Sequence, residues 1–169
     1  MTTTFEDRPV MELDPAPFGF RRSTWVPVPP ARLYEIVSDV SRIGLWSPTA
    51  SEVSYDDGAG PRPGAWFSGH NKRGERAWVS RSQVLTARPG AEFAFVVGGL
   101  DEGIVRWRWT FHADGAGSVV TQEWQLLRMD PLLGATHGEV VGLRDEMVAS
   151  VETTLIALAK WLHSSNNGQ

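Results

Sequence analysis

The sequence predicts an α+β fold: an antiparallel sheet of about seven strands, two short helices after the first strand, and a long C-terminal helix laid across the sheet. Three observations predict it. About six strand-like runs follow one another between residues 52 and 127, separated by short turns rich in Gly, Pro and Asp, and such turns join antiparallel neighbours. The period then changes: Val140, Leu143, Met147, Val151, Leu155, Leu158 and Leu162 recur at steps of three or four residues. Finally, a sheet with one apolar face must cover that face, and no other element is long enough to do so.

Taken in order, residues 1–19 carry Pro9, Pro15 and Pro17 without clear periodicity and read as an N-terminal arm, extended or poorly ordered, lying against the domain. The domain itself is expected over 20–165, with a disordered tail at 166–169. Phe20–Val28 alternates weakly and reads as a strand, stopped by Pro29-Pro30. Pro is tolerated at a helix start, and Leu33, Ile36 and Val37 continue at helical spacing to residue 38. A second short helix over 41–46 ends before Ser47-Pro48. Strands follow at 52–55, 65–71, 76–87, 92–97, 104–112 and 118–127, divided by turns such as Asn71-Lys72-Arg73-Gly74 and Pro89-Gly90. The closing helix, read over 139–163, spans about 37 Å at ~1.5 Å per residue.

The chain has 169 residues, 41% hydrophobic and 21% charged, which suits one globular domain that needs no metal or disulfide to hold it. A net charge of -4 and a pI near 5.5 argue against nucleic acid as a partner. With no cysteine, disulfides, thiolate metal sites and cysteine nucleophiles are excluded. The acidic start lacks the pattern of a signal peptide, and no run approaches the ~18 apolar residues of a membrane span. A cytoplasmic protein without membrane insertion, monomeric or homodimeric, is expected.

Alternation assigns the strand faces. Val105, Trp107, Trp109 and Phe111 share one face, as do Val120, Gln122, Trp124 and Leu126. Phe93, Phe95 and Val97 go with them, and so do Trp78, Ser80, Ser82 and Val84, and Phe67, Gly69 and Asn71. This face is aromatic with a few neutral polar groups, as small-molecule pockets usually are. The same residue types also describe a solid core, and the sequence leaves the two open.

Several segments carry a family resemblance. Ser38-Asp39-Val40-Ser41-Arg42-Ile43 with Trp46-Ser47-Pro48, the run Pro63 to Asn71 with Gly74 and Trp78, Arg88 to Phe95, Trp107 to Phe111, and Thr121 to Trp124 resemble the SRPBCC/START-like superfamily. Within it they are similar to bacterial polyketide cyclase/dehydrase-like proteins, over residues 20 to 163. The resemblance implies a helix-grip fold, a curved sheet around the C-terminal helix with a cavity beneath. It implies a small apolar ligand such as a lipid or polyketide, and some members are cyclases. Fold-level analogy does not choose among these activities.

The expected binding site is therefore Trp46, Phe67, Trp78, Phe93, Phe95, Trp107, Trp109, Phe111 and Trp124, with Met147, Val151 and Leu155 from the helix. Asn71, Ser80 and Gln122 would orient polar atoms of the ligand. A binder ranks first and a cyclase/dehydratase-like enzyme second, because no inward acid or base stands out. Asp39 reads as a helix cap and Glu123 as an outward partner of Arg106 or Arg108. The four histidines, His70, His112, His137 and His163, have no metal-ligand spacing, and no nucleophile elbow or phosphate loop occurs. No metal, nucleotide or other cofactor is called for.

Overall fold

The computed structural model describes residues 4–166. Residues 167–169 of the expected tail and residues 1–3 of the expected arm lie outside the described residues. Seven strands form one antiparallel sheet: β1 (Gly19–Val26), β2 (Ala50–Tyr55), β3 (Trp66–Arg73), β4 (Arg76–Arg88), β5 (Glu92–Val97), β6 (Val105–Asp114) and β7 (Gly117–Leu126). Their order is β1-β7-β6-β5-β4-β3-β2, so β2 to β7 run as a meander and β1 joins at the far side, beside β7. Two α-helices complete the frame, α1 (Pro30–Ser38) and α2 (His137–Asn166). This is the helix-grip arrangement expected from the sequence.

Local chemistry explains the boundaries. α1 begins at Pro30, where the missing N–H is harmless. The second short helix forms as a 3-10 turn over Val40–Leu45, capped by Asp39, whose carboxylate accepts from the Ser41 amide at 3.3 Å. In β4 the register shifts between Val84 and Thr86, a bulge that bends the strand and so helps the sheet to wrap. Between β5 and β6, Gly99 adopts φ +101, and a Cβ there would lie 2.5 Å from the Trp66 ring.

Two apolar clusters divide the interior. The larger joins Leu33, Ile36 and Val37 of α1 and Val151, Leu155, Leu158 and Leu162 of α2 to Val84, Phe93, Trp109, Phe111 and Val120 of the sheet. The smaller joins Val140 of α2 to Trp124, Leu126, Met129 and Leu133, together with Val10 and Phe18 from the leading segment. Fully burying a Val or Leu is worth about 1.5–3 kcal/mol. The four buried aliphatic residues between 151 and 162 therefore anchor the C-terminal half of α2 more firmly than half-buried Leu143 and Met147 anchor the stretch around them.

The segment before β1 is seated on the domain. It makes 3-10 turns at Phe5–Asp7 and Val10–Glu12 and a bridge between Pro9 and Thr136, just ahead of α2.

Candidate functional site

Pairing register converts alternation into rows across the inner face of the sheet. Phe20, Trp124, Trp107 and Phe95 follow one another from β1 to β5. The next row is Arg22, Gln122, Trp109 and Phe93. Phe67 meets Phe95 edge-on at 4.9 Å between centroids, and Phe20 stacks on Trp124 at 5.8 Å.

The structure sorts the expected residues into two sets. Phe67, Phe93, Trp109, Phe111, Trp124, Val151 and Leu155 are buried within the clusters. Trp46 is buried too, but off the sheet, against Trp161 in the last turns of α2. Phe95, Trp107, Met147, Asn71 and Ser80 face inward yet stay half-buried. Trp78 is 36% exposed, with the guanidiniums of Arg73 and Arg76 over its ring. Burial thus falls from the C-terminal half of α2 toward the β3–β4 hairpin. Arg73, the last residue of β3, reaches Glu146 of α2 at 2.8 Å and ties the hairpin tip to the helix.

Polar atoms on the inner face differ in how they are satisfied. Asn71 donates to the Ser80 hydroxyl at 2.8 Å. Gln122 is 7% exposed, and its Oε1 is buried with no hydrogen-bond partner among the described residues. The other buried atoms without partners are elsewhere: Arg106 Nε and Arg108 Nε on the outer face, and His137 Nδ1 at the start of α2.

A cleft of about 400 Å³ lies between β1 and α2, lined by Gly19, Phe20, Arg22, Arg144, Asp145 and Val148. Arg22 is the register partner of Gln122 and is held by Glu152 of α2 at 3.3 Å. A second cleft of about 400 Å³ opens between the start of α1 and the end of α2, around Pro29, Arg32, Arg42 and Trp161. None of the fifteen residues expected from the sequence lines either cleft. Phe20, Arg22, Arg144 and Val148 were missed. The available signal was Arg22 alternating with Phe20, Thr24 and Val26 on the first strand, the one charge on that face.

Two carboxylates on the outer face hold structural ion pairs. Glu123 faces outward and pairs with Arg106 at 2.6 Å. Glu92, on the same outer face, is bound by Arg108 at 2.7 Å. Burial alone would raise the Glu92 pKa, but the Arg108 bond and charge, with Thr86 and Arg88, hold it below its ordinary value. Tyr55 donates to the Ser38 carbonyl at 2.8 Å, and burial first, then the nearby Tyr34 and Asp39, push its phenol pKa well up, so it stays neutral. Among the described residues, no three His, Cys, Asp or Glu come together as metal ligands would, and no helix is long and apolar enough to cross a membrane.

Comparison with known proteins agrees with this geometry. The family model described as polyketide cyclase/dehydrase and lipid transport matches residues 17–159. The solved Polyketide_cyc-like protein Cgl2372 from Corynebacterium glutamicum is 28% identical, with a TM-score of 0.62, and the match covers 88% of this chain and 93% of that one. The di-domain ARO/CYC StfQ of the steffimycin biosynthetic pathway superposes with a TM-score of 0.69 at 15% identity. That match covers 89% of this chain and 52% of StfQ, about half its length. Ara h 8.0201 shares the fold at 14% identity and a TM-score of 0.61, over 86% of this chain and 97% of its own. Among curated proteins no sequence matches.

Proposed function

The chain belongs to the polyketide cyclase/dehydrase and lipid transport family, and on that premise we propose that it binds a small hydrophobic or aromatic molecule, lipid- or polyketide-like, between the inner face of its sheet and α2. The observation that carries this reading is the buried, unpartnered Oε1 of Gln122 on a face otherwise made of aromatic rings. A buried acceptor left unpaired costs about 1–3 kcal/mol, which a guest hydroxyl or N–H would recover. A single water would serve the same atom, but Trp109, Trp124 and half-buried Trp107 around it suit an organic body. The guest enters by the β1–α2 cleft, past Phe20 and Arg22, and sets its donor on Gln122. The less firmly anchored half of α2 gives way to admit it.

The test is native mass spectrometry of the purified protein, with and without the substitution Gln122→Leu. A copurifying organic molecule that the variant holds less well supports the reading. No guest on the wild type from any source tried, nor after incubation with aromatic polyketide-like and fatty-acyl compounds, would remove it.

A second reading, a cyclase/dehydratase-like enzyme using the same space, draws on one observation: Arg22, paired with Glu152, stands next to Gln122 on the inner face. The guanidinium there would donate to a guest carbonyl, and the carboxylate it holds would be the proton acceptor. Its mark would be a bound molecule whose mass changes on incubation with wild type but not with Glu152→Gln.

A further inference from the structure

We propose that the leading segment, Phe5 to Phe18, is a strap that closes one end of the ligand site and controls passage of the guest; this inference rests on the binding reading above. Nearly all of the segment precedes residues 17–159, which the family model matches. It is nevertheless fastened to this domain. The Val10 amide donates to the Ala135 carbonyl at 2.9 Å, and the His137 amide to the Arg8 carbonyl at 2.8 Å. Gln125 Nε2 lies within 3.4 Å of the carbonyls of Pro15, Ala16 and Phe18.

Where the strap sits matters more than that it is fastened. Val10 and Phe18 are buried in the cluster of Trp124 and Val140, against which Phe20, Trp107, Leu143 and Met147 also pack. Phe20, Trp107, Leu143 and Met147 are a half-buried part of that cluster, on the inner face and on the N-terminal half of α2. The Arg144 guanidinium, which lines the β1–α2 cleft, lies 6.0 Å over the Phe18 ring, and β1 enters the cleft directly after it with Gly19 and Phe20. The strap therefore backs one wall of the proposed entrance. Its hold is slight beyond Phe18. Of residues 5–13, Val10 alone is buried, while Phe5 is 63% and Met11 61% exposed. At the joint, the His137 ring meets Phe5 at 4.3 Å and Phe18 at 5.8 Å, and its buried Nδ1 has no partner among the described residues. A segment with few buried contacts and a polar atom left unsatisfied at its joint opens locally before the rest of the fold does.

The bridge supplies the test. Pro9 and Thr136 are opposed without bonding each other, the closer kind of antiparallel pair, for which a Cα separation of ~4.5 Å is typical and suits a disulfide. The chain has no cysteine of its own, so the double substitution Pro9→Cys, Thr136→Cys gives a lock that reductant alone releases. Binding of 8-anilinonaphthalene-1-sulfonate, read by energy transfer from tryptophan in a stopped-flow instrument, reports passage. We expect the oxidised form, its crosslink verified by mass, to take up and release the dye about tenfold more slowly than the reduced form. Val10→Asp, with wild-type circular dichroism, should quicken both rates. Equal rates in the oxidised and reduced forms overturn the strap and leave the binding reading standing. A wild type that takes up no dye removes the strap together with the binding reading.

Discussion

At position 122 an amide is flanked across the strands by Trp109 on one side and Arg22 on the other. An apolar residue of similar size would be quieter there, since it would leave no acceptor unpaired. Gln122→Leu should therefore raise stability by about 1–2 kcal/mol in urea unfolding while weakening the guest. A loss of stability would show that the amide is satisfied by something other than a guest. The neighbouring rings act in the opposite sense. Trp109 and Trp124 are both almost fully buried among apolar partners. Trp109→Ala and Trp124→Ala should each cost about 3–5 kcal/mol, measured by the same unfolding. The contrast between the amide and the two rings separates a residue kept for binding from residues kept for packing.

Among the elements, α2 has two halves with different tasks. Its stretch from Val151 to Leu162 is pinned by buried aliphatic residues against α1 and the sheet, while between Leu143 and Val148 no residue is buried, and Arg144, Asp145 and Val148 line the cleft. Amide hydrogen exchange should find faster opening at 143–148 than at 154–162; uniform protection would contradict a helix that yields at one half. The β5–β6 connection shows the converse, a loop held rigidly by a close approach. Gly99→Ala would force a left-handed φ on a side chain and drive its Cβ into Trp66. A loss of about 1–3 kcal/mol is expected in thermal or urea unfolding.

For the molecule as a whole, the acid response follows from Glu92. Its folded pKa lies below the ordinary 4.5, so the folded state binds its proton less readily than the unfolded chain. The stabilisation is therefore complete above about pH 4.5 and fades as pH falls through the depressed folded value. Glu92→Gln should flatten that part of the pH–stability curve. It should also cost about 1–2 kcal/mol near neutrality, because Arg108 loses a partner that is itself buried. An unchanged acid limb would show that other carboxylates set it. By itself the sequence determined the class of fold and the bounds of α1 and β5, because the helical and strand periods are local and strong. It also placed Asp39 at its cap and Glu123 outside beside Arg106 or Arg108, between which the structure selects Arg106. Only the tertiary structure decided that β1 lies beside β7, that Arg22 therefore neighbours Gln122 and opens on a cleft with Arg144, and that Val10 is buried beside Trp124. The physical reason is distance along the chain. Those neighbours are about a hundred residues apart or more, and their meeting is fixed by long-range strand pairing and by which apolar surface remains to be covered, which leaves no periodic trace in either segment.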